Sequence, residues 1–106
     1  MPIFAPHELH DRIFGAPFRT VELRASAPVI NRHIMALERG KPAPRIKVGD
    51  GTVLDGELHW YVAIYALGLA VPVEKVEAPA PDLIRYSMGQ VIFEGLDWEN
   101  MMGRCP

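Results

Sequence analysis

Apolar side chains recur along the first forty residues mostly at helical spacing. Leu9, Ile13 and Phe14 fall on one side of the stretch His7 to Phe14, which has Pro6 at its start and Gly15 just beyond its end. That pattern predicts a short helix opened by proline and stopped by glycine. Phe18 to Leu23 alternates imperfectly between apolar and polar residues and predicts a short strand. Val29, Ile30, His33, Ile34 and Leu37 then return every three or four residues until Gly40, and Ser26 is placed to cap a helix that begins near Pro28.

Pro42 and Pro44 forbid continuation of that helix, and the period changes. Arg45 to Val48, the turn Gly49-Asp50-Gly51 and Thr52 to Leu54 read as strand, tight turn, strand, because Asp-Gly suits the left-handed conformations of a two-residue hairpin. Asp55-Gly56 punctuates the second strand. Glu57 to Leu67 is apolar on nearly every face and predicts a largely buried helix that ends at Gly68. Val71-Pro72-Val73 opens a further strand, at a sheet edge because proline cannot donate to a ladder. Ala78-Pro79-Ala80-Pro81 is a rigid, extended connector. Beyond it, Leu83 to Tyr86 and Val91 to Phe93 read either as strands or as one interrupted helix, and Asp97 caps a short closing helix through Met102.

These elements amount to an α/β (α+β) fold, a single small domain over residues 1–106 with a mixed sheet and a β-hairpin leading into a central helix. Residues 1–17 form an N-terminal helical appendage and residues 79–106 a divergent C-terminal segment. With 49% apolar and 23% charged residues the chain is excluded from the disordered, collagen-like and coiled-coil classes. The lone Cys105 has no partner for an internal disulfide or a Cys-x-x-Cys metal site, which suits a reducing compartment. No apolar run approaches the roughly 18 to 20 residues that span a bilayer, and Met1 to His10 lacks the pattern of a secretory signal. A cytoplasmic location without membrane contact is expected.

Charge is unevenly spread. Arg19 to Lys47 holds seven basic residues against Glu22 and Glu38, whereas Asp50 to Glu99 holds nine acids against Lys75 and Arg85. Such polarity reads either as an anion-attracting face or as two ordinary solvated surfaces.

The order helix, Gly40, proline pair, strand, glycine turn, strand, Asp-Gly, helix, Gly68, Val71-Pro72-Val73 resembles the ParB and sulfiredoxin-like superfamily, in particular its ParB-like nuclease domain. The matching box is Val53-Leu54-Asp55-Gly56-Glu57-Leu58-His59, and the resemblance covers roughly residues 28 to 76. It implies a phosphate-binding pocket in which Asp55 and Gly56 open the helix, Arg39, Gly40 and Lys41 lie nearby, and ATP or CTP binds with a divalent metal. Physical chemistry agrees with such a pocket: glycine lets backbone approach an anion, and a helix start offers free N–H groups and the positive end of a dipole. Glu57 and His59 are the candidate catalytic residues, a carboxylate and an imidazole suited to acid–base work. The family's box carries an arginine where this chain has His59, and a neutral imidazole offers one donor against the five of a guanidinium. Sulfiredoxins carry a cysteine in the box, which this one lacks.

The same residues also have structural readings: a cap and turn for Asp55 and Gly56, a complement to the helix dipole for Glu57, a hydrogen-bonded core residue for His59. Two functions therefore compete. One is a minimal metal-dependent nuclease or nucleotide hydrolase handling nucleic acid or nucleotide. The other is a catalytically inactive ParB-fold binding module, an accessory or inhibitory protein of a plasmid or phage that acts through protein partners. A homo-oligomer with Leu83 to Met102 as interface is a third expectation. His7, His10 and Asp11 read as a solvated helix face, and Trp60, Tyr61 and Tyr65 as core. No nucleotide-binding glycine loop or nucleophile-elbow motif is present.

Overall fold

The computed structural model describes residues 3–101. Cys105 and Met102 lie outside them. Four helices and seven short strands follow in the order α1 (Pro6–Ile13), β1 (Arg19–Thr20), β2 (Arg24–Ser26), α2 (Ala27–Glu38), β3 (Ile46–Gly49), β4 (Thr52–Val53), α3 (Leu58–Ala66), β5 (Val73–Lys75), β6 (Tyr86–Ser87), β7 (Ile92–Glu94) and α4 (Trp98–Met101). The result is an α/β (α+β) domain with one mixed sheet, as the pattern of the chain predicts.

The main sheet runs β5-β3-β4-β1-β6, and β2 pairs with β7 in a separate parallel ribbon. Within the main sheet β3 and β4 form the antiparallel hairpin, with Val48 opposite Val53 and Gly49 opposite Thr52. Its turn has positive φ at both Asp50 (51°) and Gly51 (67°), the pair of left-handed residues that an Asp-Gly hairpin turn requires. β5 and β1 each join the hairpin in parallel, and β6 closes the far edge antiparallel to β1. The strand expected over Phe18 to Leu23 is shorter than its alternation suggests. The Thr20 hydroxyl accepts the Glu22 amide at 3.0 Å, which turns the chain after two residues and sends it into the β2–β7 ribbon.

Alternation places Ile46, Val48 and Val53 on the inner face, where α3 lies at the centre of the core. Leu58, Tyr61, Val62, Ala63, Ile64 and Ala66 are all buried, so α3 is surrounded on nearly every side, as its uniformly apolar sequence demands. α2 packs on it through Ile30 and Ile34, capped by Ser26 Oγ, which accepts the Val29 amide at 3.4 Å. α1 belongs to the same core: Leu9 and Ile13 are fully buried, and Arg12 Nη1 donates to Ala66 O at 2.9 Å, setting a cation at the negative end of α3. Asn31 fastens the chain ahead of α1 by accepting the Phe4 amide and donating to the Phe4 carbonyl, both at 2.9 Å.

The late segment resolves into strands separated by one 3-10 turn, Met88–Gln90, rather than an interrupted helix. β5 and β6 occupy opposite edges of the main sheet, so residues 76–85 must cross about 19 Å of strand spacings. They do so over the outer face at Gly49, where a Cβ would lie 2.2 Å from Glu77 O. Thr52, opposite Gly49 in the hairpin, is fully buried. Met88, Val91 and Phe93 enter the core, while Leu83, Ile84, Ile92 and Leu96 stay exposed.

Candidate functional site

The β3–β4 hairpin delivers the chain to the start of α3 through Asp55 and Gly56, and Gly56 takes φ of 87°, a conformation that other residues reach only with strain. The amides that open the helix are turned toward a carboxylate of the chain itself. Gly56 N donates to Glu22 Oε1 at 3.0 Å, and the Leu58 amide also bonds this carboxylate. Burial raises the Glu22 pKa above its ordinary value, and repulsion from Asp55 and Glu57 adds to that, while the two amide hydrogen bonds pull the other way. The position that a helix start offers to phosphate is thus filled by Glu22.

Glu57 stands at the cap of α3 and directs its side chain at the hairpin, where Oε1 accepts the Lys47 amide at 2.9 Å. His59 points elsewhere. Its Nε2 accepts the Ser26 amide at 2.9 Å, its ring meets Trp98 edge-on with centroids 5.1 Å apart, and burial lowers its pKa against the opposing field of Glu99. The two candidate catalytic groups are therefore each engaged with a backbone amide, on different neighbours.

Arg39, Gly40 and Lys41 close α2. Gly40 adopts φ of 100°, its amide reaches Leu37 O at 3.1 Å and the Lys41 amide reaches Ala36 O at 3.0 Å, a left-handed helix stop. Lys41 Nζ sits 5.0 Å from the centre of the Trp60 ring, and Trp60 in turn stacks on His33 at 3.8 Å with only 7° between planes. Burial drives His33 down to about 4, with His59, Lys41 and Arg32 adding repulsion and Glu99 opposing. Arg39 is exposed and makes no ion pair within 4.0 Å among the described residues.

Part of the charge polarity of the chain is paired off once folded. Arg24 pairs with Glu94 at 2.7 Å, and Arg32 holds Asp97 at 2.5 Å and Glu99 at 2.7 Å, so basic residues of the first half meet acids of the second. His10 is tied to Gly89 O through Nε2 at 2.8 Å. Among the described residues no cluster of three or more His, Cys, Asp or Glu is arranged to hold a metal ion, and no helix is long and apolar enough to cross a membrane. Two cavities open elsewhere: one of about 380 Å³ beside His7, His10 and Gly89, one of about 320 Å³ lined by Phe18, Val48, Val73 and Lys75.

Comparison of the chain with family models, with curated proteins and with solved structures finds no match. The residue that sequence reasoning passed over is Glu22. Its only local signal is that it stands as an isolated acid in a basic stretch, and nothing in the sequence ties it to Gly56, 34 residues later.

Proposed function

We propose that this chain is a binding module of ParB-like architecture in which phosphate chemistry has been given up, and that it acts through protein contacts as an accessory or inhibitory protein of a plasmid or phage. The observation that carries this reading is the Glu22 carboxylate on the Gly56 amide at the start of α3. A nucleotide phosphate needs that amide and repels that carboxylate. Two further features support it: Glu57 and His59 are both committed to backbone amides, and the arginine of the family's box is His59, which accepts a hydrogen bond instead of offering several. The hairpin running into a central helix through Asp55-Gly56 supports the ParB-like part of the reading.

The test is a titration followed by backbone amide resonances. ATP or CTP with magnesium is added to the protein, and the Gly56, Glu57 and Leu58 signals are expected to stay in place, with no cleavage of plasmid DNA. Saturable shifts at those amides, or DNA or nucleotide turnover that Glu57→Ala abolishes, would return the chain to nucleotide handling.

A further inference from the structure

The last described segment of chain is fastened to the body through Ser26 and through Arg32. Ser26 Oγ donates to Leu96 O at 2.6 Å and accepts from Trp98 N at 3.4 Å, while the Ser26 amide donates to His59 Nε2 at 2.9 Å. Trp98 lies edge-on against that imidazole and donates through Nε1 to Glu94 at 2.8 Å. Arg32 of α2 completes the attachment by holding Asp97 with both terminal nitrogens, at 2.5 and 2.6 Å, and Glu99 with Nη2 at 2.7 Å. One hydroxyl and one imidazole thus join β2, α2 and α3 to the segment that carries Trp98.

We propose that residues 96–101 form an acid-released strap and that His59 is its latch, an imidazole that accepts the Ser26 amide only while Nε2 carries no proton. Protonation places a second donor against the Ser26 N–H, and a donor facing a donor is repulsive where an acceptor was attractive. Ser26 is buried and has no room to turn its amide toward water, so the strain passes to its hydroxyl, which holds Leu96 and Trp98. The charged groups around the latch set its direction. Burial disfavours the imidazolium at His59 and outweighs Glu99 of α4, which favours it, so the docked strap keeps His59 neutral, while His33 on α2 is the group that feels His59, Lys41 and Arg32. Glu94 of β7 and Asp97 complete the set, bonded to Trp98 and Arg32. Release frees Arg32 from Asp97 and Glu99 beside a cationic His59, so the uncovered face is basic at the pH that opens it. This inference is independent of whether the α3 start binds phosphate.

The experiment follows three signals in the same sample as pH is lowered from about 7.5 to about 4: amide hydrogen exchange at Trp98 and Glu99, the Trp98 indole resonance, and the ring titrations of His59 and His33. Exchange protection at Trp98 and Glu99 is expected to fall by about tenfold or more while the core of α3 stays protected, with a midpoint that coincides with the His59 ring and lies below about 6.5. His59→Gln, which keeps an acceptor but takes up no proton, is expected to hold the strap across this range. A midpoint that follows the His33 ring instead, or identical release in His59→Gln, would overturn the proposal by assigning the opening to His33 or to the carboxylates. If His59→Gln fails to fold, the coincidence of strap opening with the wild-type His59 ring titration decides alone, and opening without it refutes the latch.

Discussion

The carboxylate of Glu22 accepts the amide of Gly56 at 3.0 Å across 34 residues of chain, so the start of the central helix carries its own anion. Burial holds the Glu22 proton more tightly in the fold than in the unfolded chain, with Asp55 and Glu57 adding repulsion. A carboxyl with a raised folded pKa contributes stability at low pH that is lost as pH rises through 4.5 and then through the folded value. Glu22→Gln keeps an acceptor for Gly56 without that titration, so its stability relative to wild type is expected to improve as pH rises from 4.5 through the folded Glu22 value and then to level off. Glu22→Ala removes the acceptor and is expected to cost about 1 to 2 kcal/mol. Urea unfolding across the pH series checks both.

Gly49 has the backbone of the proline-rich crossing directly over it, and an added Cβ would stand 2.2 Å from Glu77 O and 2.9 Å from Ala78 Cα. Backbone cannot rotate away as the end of a long side chain can, so Gly49→Ala has to lift the crossing from the sheet. The expected loss is about 1 to 3 kcal/mol. Gly15→Ala, where nothing lies within 4 Å, is expected to leave stability nearly unchanged. Thermal denaturation of the two variants side by side measures the difference, and equal midpoints would argue against the crossing as drawn.

These two positions mark what was and was not legible in the chain. The hairpin around Asp50-Gly51, the Ser26 cap with the helix after it, and the buried helix ended by Gly68 depend on neighbours a few residues apart, and the sequence displays them directly. Sheet order does not announce itself that way. β1 sits between β4 and β6, β2 leaves for its own ribbon, and β5 and β6 take opposite edges, all through pairings between distant residues whose side chains carry no mark of register. The candidate site divides along the same line. Asp55, Gly56 and Glu57 were readable as the start of a helix, whereas the identity of their partners, Glu22 and the Lys47 amide, is decided by tertiary packing. Even the charge polarity, visible in composition, changed meaning when Arg32 met Asp97 and Glu99.

Ser26 caps α2 and also holds Leu96 and Trp98, so its hydroxyl serves three bonds at once. Loss of an N-cap alone costs about 1 kcal/mol, with up to about 2 where the cap is buried. Ser26→Ala is expected at the upper end of that range, together with loss of exchange protection at Trp98. Arg32→Met tests the other attachment. Its pairs are half exposed and shielded by solvent, so the expected cost is below about 1 kcal/mol and shrinks further in high salt. A larger effect for Arg32→Met than for Ser26→Ala would mean that charge, not the serine hydroxyl, anchors the segment.

His33 stacks on Trp60 at 3.8 Å, and burial brings its pKa from 6.5 down to about 4. The sign of its contribution follows from which state binds the proton. Between about pH 6.5 and 4 the unfolded chain carries a protonated His33 and the folded chain a neutral one, so unfolding takes up protons and acid favours it. Stability from this residue is complete above the unfolded pKa, declines as pH falls through that window, and levels off once the folded form is protonated as well. His59, also lowered by burial, acts in the same direction, whereas Glu22, raised by burial, acts against both. His33→Gln should remove the His33 part of this proton uptake and flatten the decline, while the loss of ring stacking lowers stability at neutral pH by about 0.5 to 1.5 kcal/mol. The slope of unfolding free energy against pH, measured for wild type and variant between about pH 7 and 4, gives the proton count directly, and an unchanged slope in His33→Gln would refute the assignment.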